Sequence, residues 1–110
     1  MTQNSRTEEP VVDIDQTLRE RGARYGAFST HARITQALKR AMTDSPNWAR
    51  LADDQKECLE MIAHKVGRIL NGDPNYLDSW HDIIGYTRLI EARIALDSVS
   101  DDPIYKAVNG

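Results

Sequence analysis

The chain contains 110 residues, 40% of them hydrophobic and 28% charged, and its formal net charge at pH 7 is −3. This length and composition predict one globular domain with a modest core. The small and evenly spread charge argues against the basic face typical of proteins that bind duplex nucleic acid. Cys58 is the only cysteine, which leaves no internal disulfide, and no run of 18 apolar residues predicts a membrane span. We therefore expect a cytoplasmic protein that does not associate with membranes.

The N-terminal half is predicted to form a leader and two helices. Residues 1–10 are polar and acidic, without the apolar segment of a signal peptide, and are predicted to be a flexible leader. A helix is predicted over 14–21, with Gly22 as its stop signal. The connector 24–28 follows, and its tyrosine and phenylalanine are predicted to plug the core or to line a cleft. A second helix is predicted over 29–42, where a serine or a threonine is the N-cap.

The C-terminal half is predicted to contain two longer helices. The third has Asp53 as its N-cap and ends near Leu70, before an Asn-Gly pair and a proline turn. The fourth covers about 76–98, and the Asp-Asp-Pro sequence that follows ends the packed region. The predicted organisation is therefore a helical bundle domain over 11–99 and a C-terminal tail over 100–110.

No segment alternates apolar and polar residues as a strand would, so the predicted fold is all-α. We expect a compact bundle of about four helices, in which the third and fourth form a central antiparallel hairpin. At 100° per residue, the fourth helix is apolar on two opposite sides, which predicts neighbours on both. Such a helix in so short a chain also predicts a homodimer or a higher oligomer. One side carries Trp80, Ile83, Thr87, Ile90 and Ile94, and the other carries Gly85, Leu89, Ala92 and Leu96.

Two carboxylates, those of Asp78 and Asp82, lie one turn apart on the second apolar side of this helix. Charges in such a position need a cation or a polar ligand as a partner. The antiparallel hairpin would bring Lys65 and Arg68 toward these carboxylates. Clustered acids are the ligands that Mg²⁺ prefers, and Lys and Arg bind phosphate groups. The sequence therefore predicts a Mg²⁺ site whose ligands are Glu57, Glu60, Asp78 and Asp82.

The acidic residues resemble the signature of the MazG-like nucleoside triphosphate pyrophosphatases, all-α proteins with E-x-x-E on one helix and E-x-x-D on the next. Residues 57–60 read E-C-L-E, and 17 residues separate them from Asp78. The second motif departs from the family pattern, because Ser79 stands three residues before Asp82 and the nearest acid stands four before it. The resemblance implies that a nucleotide is bound through Mg²⁺ and hydrolysed to a monophosphate and pyrophosphate. On this interpretation the catalytic residues are Glu57, Glu60 and Asp82, and the substrate-binding residues are Lys65, Arg68 and Tyr86.

Three segments, 25–28, 61–70 and 78–86, also resemble an uncharacterised domain common in bacteriophages and prophages. This resemblance spans about 24–96 and implies a phage or prophage origin, with the host cytoplasm as the location. It implies no particular activity. A second function therefore stays open, that of a non-enzymatic interaction protein that inhibits a host defence protein or sequesters a nucleotide.

Structural interpretations of the same residues also stay open. Asp78 is close enough to the start of its helix to act as an N-cap or as a first-turn acid. Asp82 is either a ligand-binding residue or the partner of Lys65 or Arg68 in an ion pair. The two glutamates of the E-x-x-E motif lie opposite the main apolar arc of their helix, where exposure to solvent is the ordinary condition.

Overall fold

A computed structural model describes residues 13–109, so the predicted leader 1–10 lies outside the described residues. Four long helices pack together, and no strand occurs within the described range, which confirms the all-α prediction. No helix in this range combines the length and the apolar character needed to cross a bilayer. The helices are α1 (Ile14–Tyr25), α2 (Phe28–Thr43), α3 (Asp53–Asn71), α4 (Leu77–Ser100) and the short α5 (Pro103–Asn109), with a 3₁₀ turn at Trp48–Arg50.

The first helix is longer than the sequence predicts. Its start is capped by Asp13, whose Oδ1 accepts hydrogen bonds from the backbone N–H groups of Asp15 and Gln16 at 3.0 and 3.3 Å. The predicted stop at Gly22 is wrong, because the helix continues through this residue. The chain instead leaves the helix at Gly26, whose φ of 78° is a conformation that favours glycine.

The predicted starts of α2 and α3 are wrong by a few residues. The helix α2 begins at Phe28, directly after Ala27, so the serine and threonine predicted as caps lie in its first turn. Likewise Ala52 precedes α3, and Asp53 is the first helical residue. The Gln55 side chain accepts a hydrogen bond of 2.9 Å from the Ala52 backbone N–H. Polar and acidic residues in a first turn interact favourably with the helix dipole, so they mark the start of a helix without being its cap.

The connector between α1 and α2 contacts the connector between α3 and α4. Asn71 Nδ2 donates hydrogen bonds to the backbone oxygens of Tyr25 and Ala27 at 2.8 and 2.9 Å. A backbone N–H of the second connector donates to the Arg24 oxygen at 2.6 Å. A Cβ atom at Gly72 would overlap this oxygen and the backbone of Tyr25, so the close approach requires glycine. We call this contact the junction, and it consists of residues 24–27 and 71–73.

The helices α3 and α4 lie antiparallel, as two ion pairs at different heights show. Near the junction, Lys65 Nζ lies 3.0 Å from Asp82 Oδ2. Farther from it, Arg93 Nη2 lies 2.8 Å from Asp54 Oδ1. On each helix, the two partners lie 11 positions apart, and the numbering runs in opposite directions. The two ion pairs therefore connect one helix to the other at both levels.

The described residues bury little apolar surface. Cys58 and Ala63 of α3 are the buried apolar residues, and no large side chain is fully buried. Leu59 and Leu70 of α3 are 38% and 65% exposed. The segment predicted to be a C-terminal tail contains α5. The exposed large apolar residues of α4 are Leu77, Trp80, Ile84, Leu89, Ile94, Leu96 and Val99.

Candidate functional site

Two of the predicted site residues, Lys65 and Asp82, form an ion pair with an N–O distance of 3.0 Å. Lys65 is buried, whereas the Asp82 side chain is 43% exposed. A buried ammonium group that loses its partner is strongly destabilising, so the Asp82 carboxylate stabilises the fold by neutralising it. This geometry corresponds to one of the two interpretations of Asp82 that the sequence leaves open, the ion pair between α3 and α4.

The other predicted acids do not converge on this pair. Glu60 forms an ion pair of 3.6 Å with Lys39 of α2. The Asp78 carboxylate accepts a hydrogen bond of 3.1 Å from the Tyr76 hydroxyl, and Glu57 is exposed. Among the described residues, no group of three or more His, Cys, Asp and Glu side chains is placed to hold a metal ion. The arrangement therefore does not fit the predicted Mg²⁺ site, and Mg²⁺ binding stays a prediction.

Tyr86, predicted to bind the substrate, lies beside Asp82 on α4. Together with Gly85 and Leu89 it lines a shallow concavity of about 380 Å³. All of the residues that line this concavity belong to α4, so no second element supplies groups that could surround a ligand. The substrate-binding role of Tyr86 accordingly stays a prediction.

A larger cavity, of about 440 Å³, lies between α1, the start of α2 and the second half of α3. Its charged lining residues are the arginines Arg21 and Arg68, and none of the described carboxylates lines it. Two aromatic rings and two imidazoles add flat surfaces and ring nitrogens. We call this cavity the arginine pocket, and the residues that give it its chemistry are Arg21, Tyr25, Phe28, His31, His64 and Arg68.

The two histidines of the arginine pocket contact each other between α2 and α3. His31 Nε2 lies 3.3 Å from His64 Nδ1, and the rings meet edge to face with centroids 4.6 Å apart. Thr35 Oγ1 lies 3.4 Å from the same nitrogen of His31. This packing requires Gly67 on α3, because a Cβ atom there would press against the Thr35 hydroxyl and the His31 ring.

Both imidazoles are neutral at pH 7. Burial lowers the pKa of His31. Burial, followed by the charge of Arg68, lowers the pKa of His64 to about 4. His31 Nδ1 is buried without a hydrogen bond of ordinary geometry, although the backbone of Gly67 lies close enough to favour the protonated ring. The positive charge of the arginine pocket at pH 7 therefore comes from its two guanidinium groups.

Aromatic contacts at the junction hold Arg68 in place. Its guanidinium carbon lies 4.0 Å from the centroid of the Tyr25 ring. Tyr25 in turn meets Tyr76 edge to face at 6.0 Å, and the guanidinium carbon of Arg24 lies 5.1 Å from the Tyr76 ring. A guanidinium that stacks through its face still presents its N–H edge to a phosphate. The junction therefore orients a residue that the sequence predicts to bind substrate.

Among the residues of the arginine pocket, the sequence pattern predicts Arg68 as a binding residue and leaves Tyr25 and Phe28 either plugging the core or lining a cleft. Arg21, His31 and His64 lie on three different helices, and their convergence depends on tertiary packing that no local pattern displays. Gly67 is a usable signal, because an interior helix glycine is unfavourable and often marks the close approach of another element. Such a signal locates a helix contact without identifying the residues that meet there.

Comparison with known proteins identifies no relative. No family model matches the sequence, and neither a curated protein nor a solved structure matches it. The likenesses to MazG-like enzymes and to a phage domain therefore stay predictions, and the chemistry of the arginine pocket is the basis for inferring function.

Proposed function

We propose that this protein binds a nucleotide, or another small molecule that carries a phosphate and an aromatic ring, in the arginine pocket. The observation that carries the proposal is the composition of the lining: two arginines, two aromatic rings and two neutral imidazoles, without a described carboxylate. A cavity of about 440 Å³ lies within the range of ordinary small-molecule sites. Its size and lining thus suit one nucleotide-sized ligand.

Both arginines are available to bind the phosphate of the ligand. Arg68 is stacked on Tyr25, so its N–H edge is available for a two-point contact with a phosphate. Arg21 is exposed on α1 and is free of any carboxylate partner within the pocket lining. A phosphate between the two guanidiniums would gain charge-assisted hydrogen bonds in a partly enclosed site. The positive charge therefore selects for an anion.

Phe28 supplies a surface for the aromatic part of the ligand. Its side chain is 79% exposed although it lines the arginine pocket, and its ring lies 6.3 Å from that of His31. A large apolar side chain that stays exposed at a pocket edge suits stacking with a planar ligand, because stacking would remove its surface from water. A nucleobase has the required shape.

Calorimetric titration with nucleoside triphosphates, a nucleoside and inorganic phosphate tests this proposal. We expect the triphosphates to bind more tightly than either fragment, since only they reach both parts of the site. Arg21→Gln is expected to weaken binding by about 10-fold or more, the usual cost of a charge-assisted contact. Arg19→Gln is the matched control, because Arg19 is also exposed on α1 but does not line the arginine pocket.

Two outcomes would contradict the proposal. One is the failure of every triphosphate to bind at millimolar concentration. The other is binding that Arg21→Gln and Arg68→Gln together leave unchanged. Because Arg68 also contacts Tyr25, each variant is first compared with the wild type by circular dichroism.

Hydrolysis supported by Mg²⁺, which the MazG-like resemblance implies, is a separate proposal. The same nucleotides, incubated with and without Mg²⁺, measure it through release of pyrophosphate. Turnover abolished by Glu57→Gln and Asp82→Asn would support the enzyme. Bound nucleotide recovered intact would support sequestration, which the lining of the arginine pocket favours because it lacks a described carboxylate.

We also propose that the working form is a homodimer or a higher oligomer. Cys58 and Ala63 alone form the buried apolar part of the described chain, so the protomer retains large apolar side chains that need cover. Phage origin, cytoplasmic location and inhibition of a host protein stay predictions from the sequence.

A further inference from the structure

The side of α4 that faces away from α3 is apolar and uncovered. From Ile84 to Val99, a continuous 140° of the helix circumference carries Arg88 as its one charged residue. None of these residues is buried by another described element, and the exposed fractions of the large side chains lie between 52% and 67%. We call this surface the exposed arc, and it consists of Ile84, Gly85, Arg88, Leu89, Ala92, Ala95, Leu96 and Val99.

No contact among the described residues 13–109 explains the glycine at position 85. A Cβ atom at this position would meet nothing within 4 Å, unlike a Cβ atom at Gly67 or Gly72. Glycine is a poor helix former, so a glycine in an exposed helix interior usually marks the close approach of another element. Here none of the residues that the structure describes supplies that element. Gly85 is one of the residues that line the concavity of about 380 Å³ on the surface of α4.

The spacing of the exposed arc is that of a helix seam. Its central residues recur at intervals of four, three, four and three along α4, the repeat by which two helices pack side by side. Small and large residues alternate over the first four positions of this repeat, and a further large residue follows. The order is Gly85, Leu89, Ala92, Leu96 and Val99.

We infer that the exposed arc binds the same arc of a second copy of this chain, with the two α4 helices antiparallel. A two-fold axis that places Leu96 opposite the partner's Gly85 also places Leu89 opposite the partner's Ala92. Leu89 and Leu96 then each face a small residue, and Ala92 and Gly85 each face a leucine. A parallel pair would instead place glycine beside glycine and leave a void, so the pattern selects the antiparallel arrangement.

The area available is sufficient for such an interface. Burying a Leu or Ile side chain removes on the order of 100 Å² of apolar surface. The four large side chains of the exposed arc, with Leu77 two turns before it, therefore offer about 300 Å² per copy at their observed exposures. A standard interface buries about 800 Å² per partner, of which somewhat over half is apolar. Ala92, Ala95 and the stem of Arg88 supply most of the remainder.

Light scattering after gel filtration tests the inference on the full chain. We expect a dimer for the wild type and a monomer for Gly85→Leu, because a leucine there would collide with the partner's Leu96. The substitution meets nothing within the protomer and improves helix propensity, so the helical signal should not fall. Leu96→Asp should also give a monomer. Leu70→Asp is its control, since Leu70 is similarly exposed but lies on α3.

The double variant Gly85→Leu with Leu96→Ala tests the antiparallel register itself. It exchanges the large and the small member of both contacts between positions 85 and 96, so it is expected to restore the dimer that Gly85→Leu loses. A monomeric wild type at 100 µM, or a dimer that survives Gly85→Leu, would overturn the inference. So would a double variant that stays monomeric although it is folded. The arginine pocket shares no residue with the exposed arc, so the outcome does not depend on the proposed nucleotide binding.

Discussion

The junction and the exposed arc represent opposite ways of using glycine. At the junction, Gly26 and Gly72 let two connectors approach so closely that backbone groups bond directly to each other and to Asn71. In the exposed arc, Gly85 borders open space. Where atoms of the same chain occupy the space beside a glycine, their close contact stabilises the protomer. Where that space is open, the glycine is evidence for a neighbour that is missing. An added side chain should therefore lower the stability of the protomer at the junction and should not lower it in the exposed arc.

The largest effect is expected for Gly72→Ala at the junction. The new Cβ atom would overlap the backbone of Arg24, and backbone cannot move aside as a flexible side chain can. We expect a loss of about 3 kcal/mol in the free energy of unfolding, equivalent to a decrease of roughly 10 °C or more in Tm. Thermal denaturation followed by circular dichroism measures it.

Gly22→Ala is the control for this change, because a Cβ atom at Gly22 meets nothing within 4 Å. Alanine should stabilise α1 there by up to about 1 kcal/mol. A Gly72→Ala variant as stable as the wild type would show that the close contact between the connectors does not govern the stability of the junction.

An intermediate effect on stability is expected for the ion pair between Lys65 and Asp82, near the junction. Asp82→Asn would leave the buried ammonium of Lys65 without its counter-charge, at a cost of about 2 kcal/mol because Asp82 itself remains partly in water. Lys65→Met removes the charge and should change the stability by less than about 1 kcal/mol. Urea denaturation compares the two variants.

The same pair distinguishes the two interpretations of Asp82. If Asp82 bound a ligand, Asp82→Asn would abolish nucleotide binding and leave the unfolding midpoint nearly unchanged. We expect the reverse result, since the carboxylate lies 3.0 Å from Lys65 and does not line the arginine pocket.

The histidine pair predicts a loss of stability in acid. The pKa of His64 in the folded protein is about 4, below its ordinary value of 6.5, so the unfolded chain binds the proton more readily. Stability is therefore fully present above pH 6.5 and declines as the pH falls toward 4. His64→Gln should flatten this decline, whereas His81→Gln, at an exposed position of α4, should not. Unfolding midpoints measured between pH 7 and 4 test the difference.

The smallest effect is expected at the end of α4 remote from the junction. Arg93 donates two hydrogen bonds of 2.8 Å to Asp54 and one of 2.9 Å to Asp97. These groups are exposed to water and salt, which weaken the attraction. Arg93→Lys should lower Tm only slightly, and the difference should vanish in 1 M salt. A large decrease in Tm that persists in salt would contradict this expectation. It would show that the Arg93 ion pairs contribute more to stability than their exposure suggests.

The helices and their order follow from patterns within short segments, and these patterns predict the number of long helices correctly. The errors lie at the ends. Gly22 has the sequence of a helix stop, but the chain needs its left-handed residue at Gly26, where the junction forms. Asp53 and the polar start of α2 lie one to three positions inside their helices. A local pattern cannot identify a boundary that a distant segment decides.

The candidate site is harder to predict from the sequence than the fold is. The spacing of Lys65 and Asp82 correctly predicts that an antiparallel hairpin brings them together. The same reasoning predicts that Glu57 and Glu60 join them, but Glu60 turns toward Lys39 of α2 and Glu57 toward solvent. Whether a polar face meets water or another helix depends on the path of α1 and α2. That path is determined by the junction, whose hydrogen bonds join residues 44 and 46 positions apart.

The two tryptophans offer a way to observe each end of the molecule separately. The Trp80 indole donates a hydrogen bond of 2.7 Å to the Pro74 oxygen, beside the connector of the hairpin. Trp48 lies in the 3₁₀ turn between α2 and α3, at the other end of the long helices. Replacing either one with phenylalanine would leave a single tryptophan, whose emission would then report on one end of the molecule. Disagreement between the two emission curves would reveal that the ends melt in succession, and would identify which opens first.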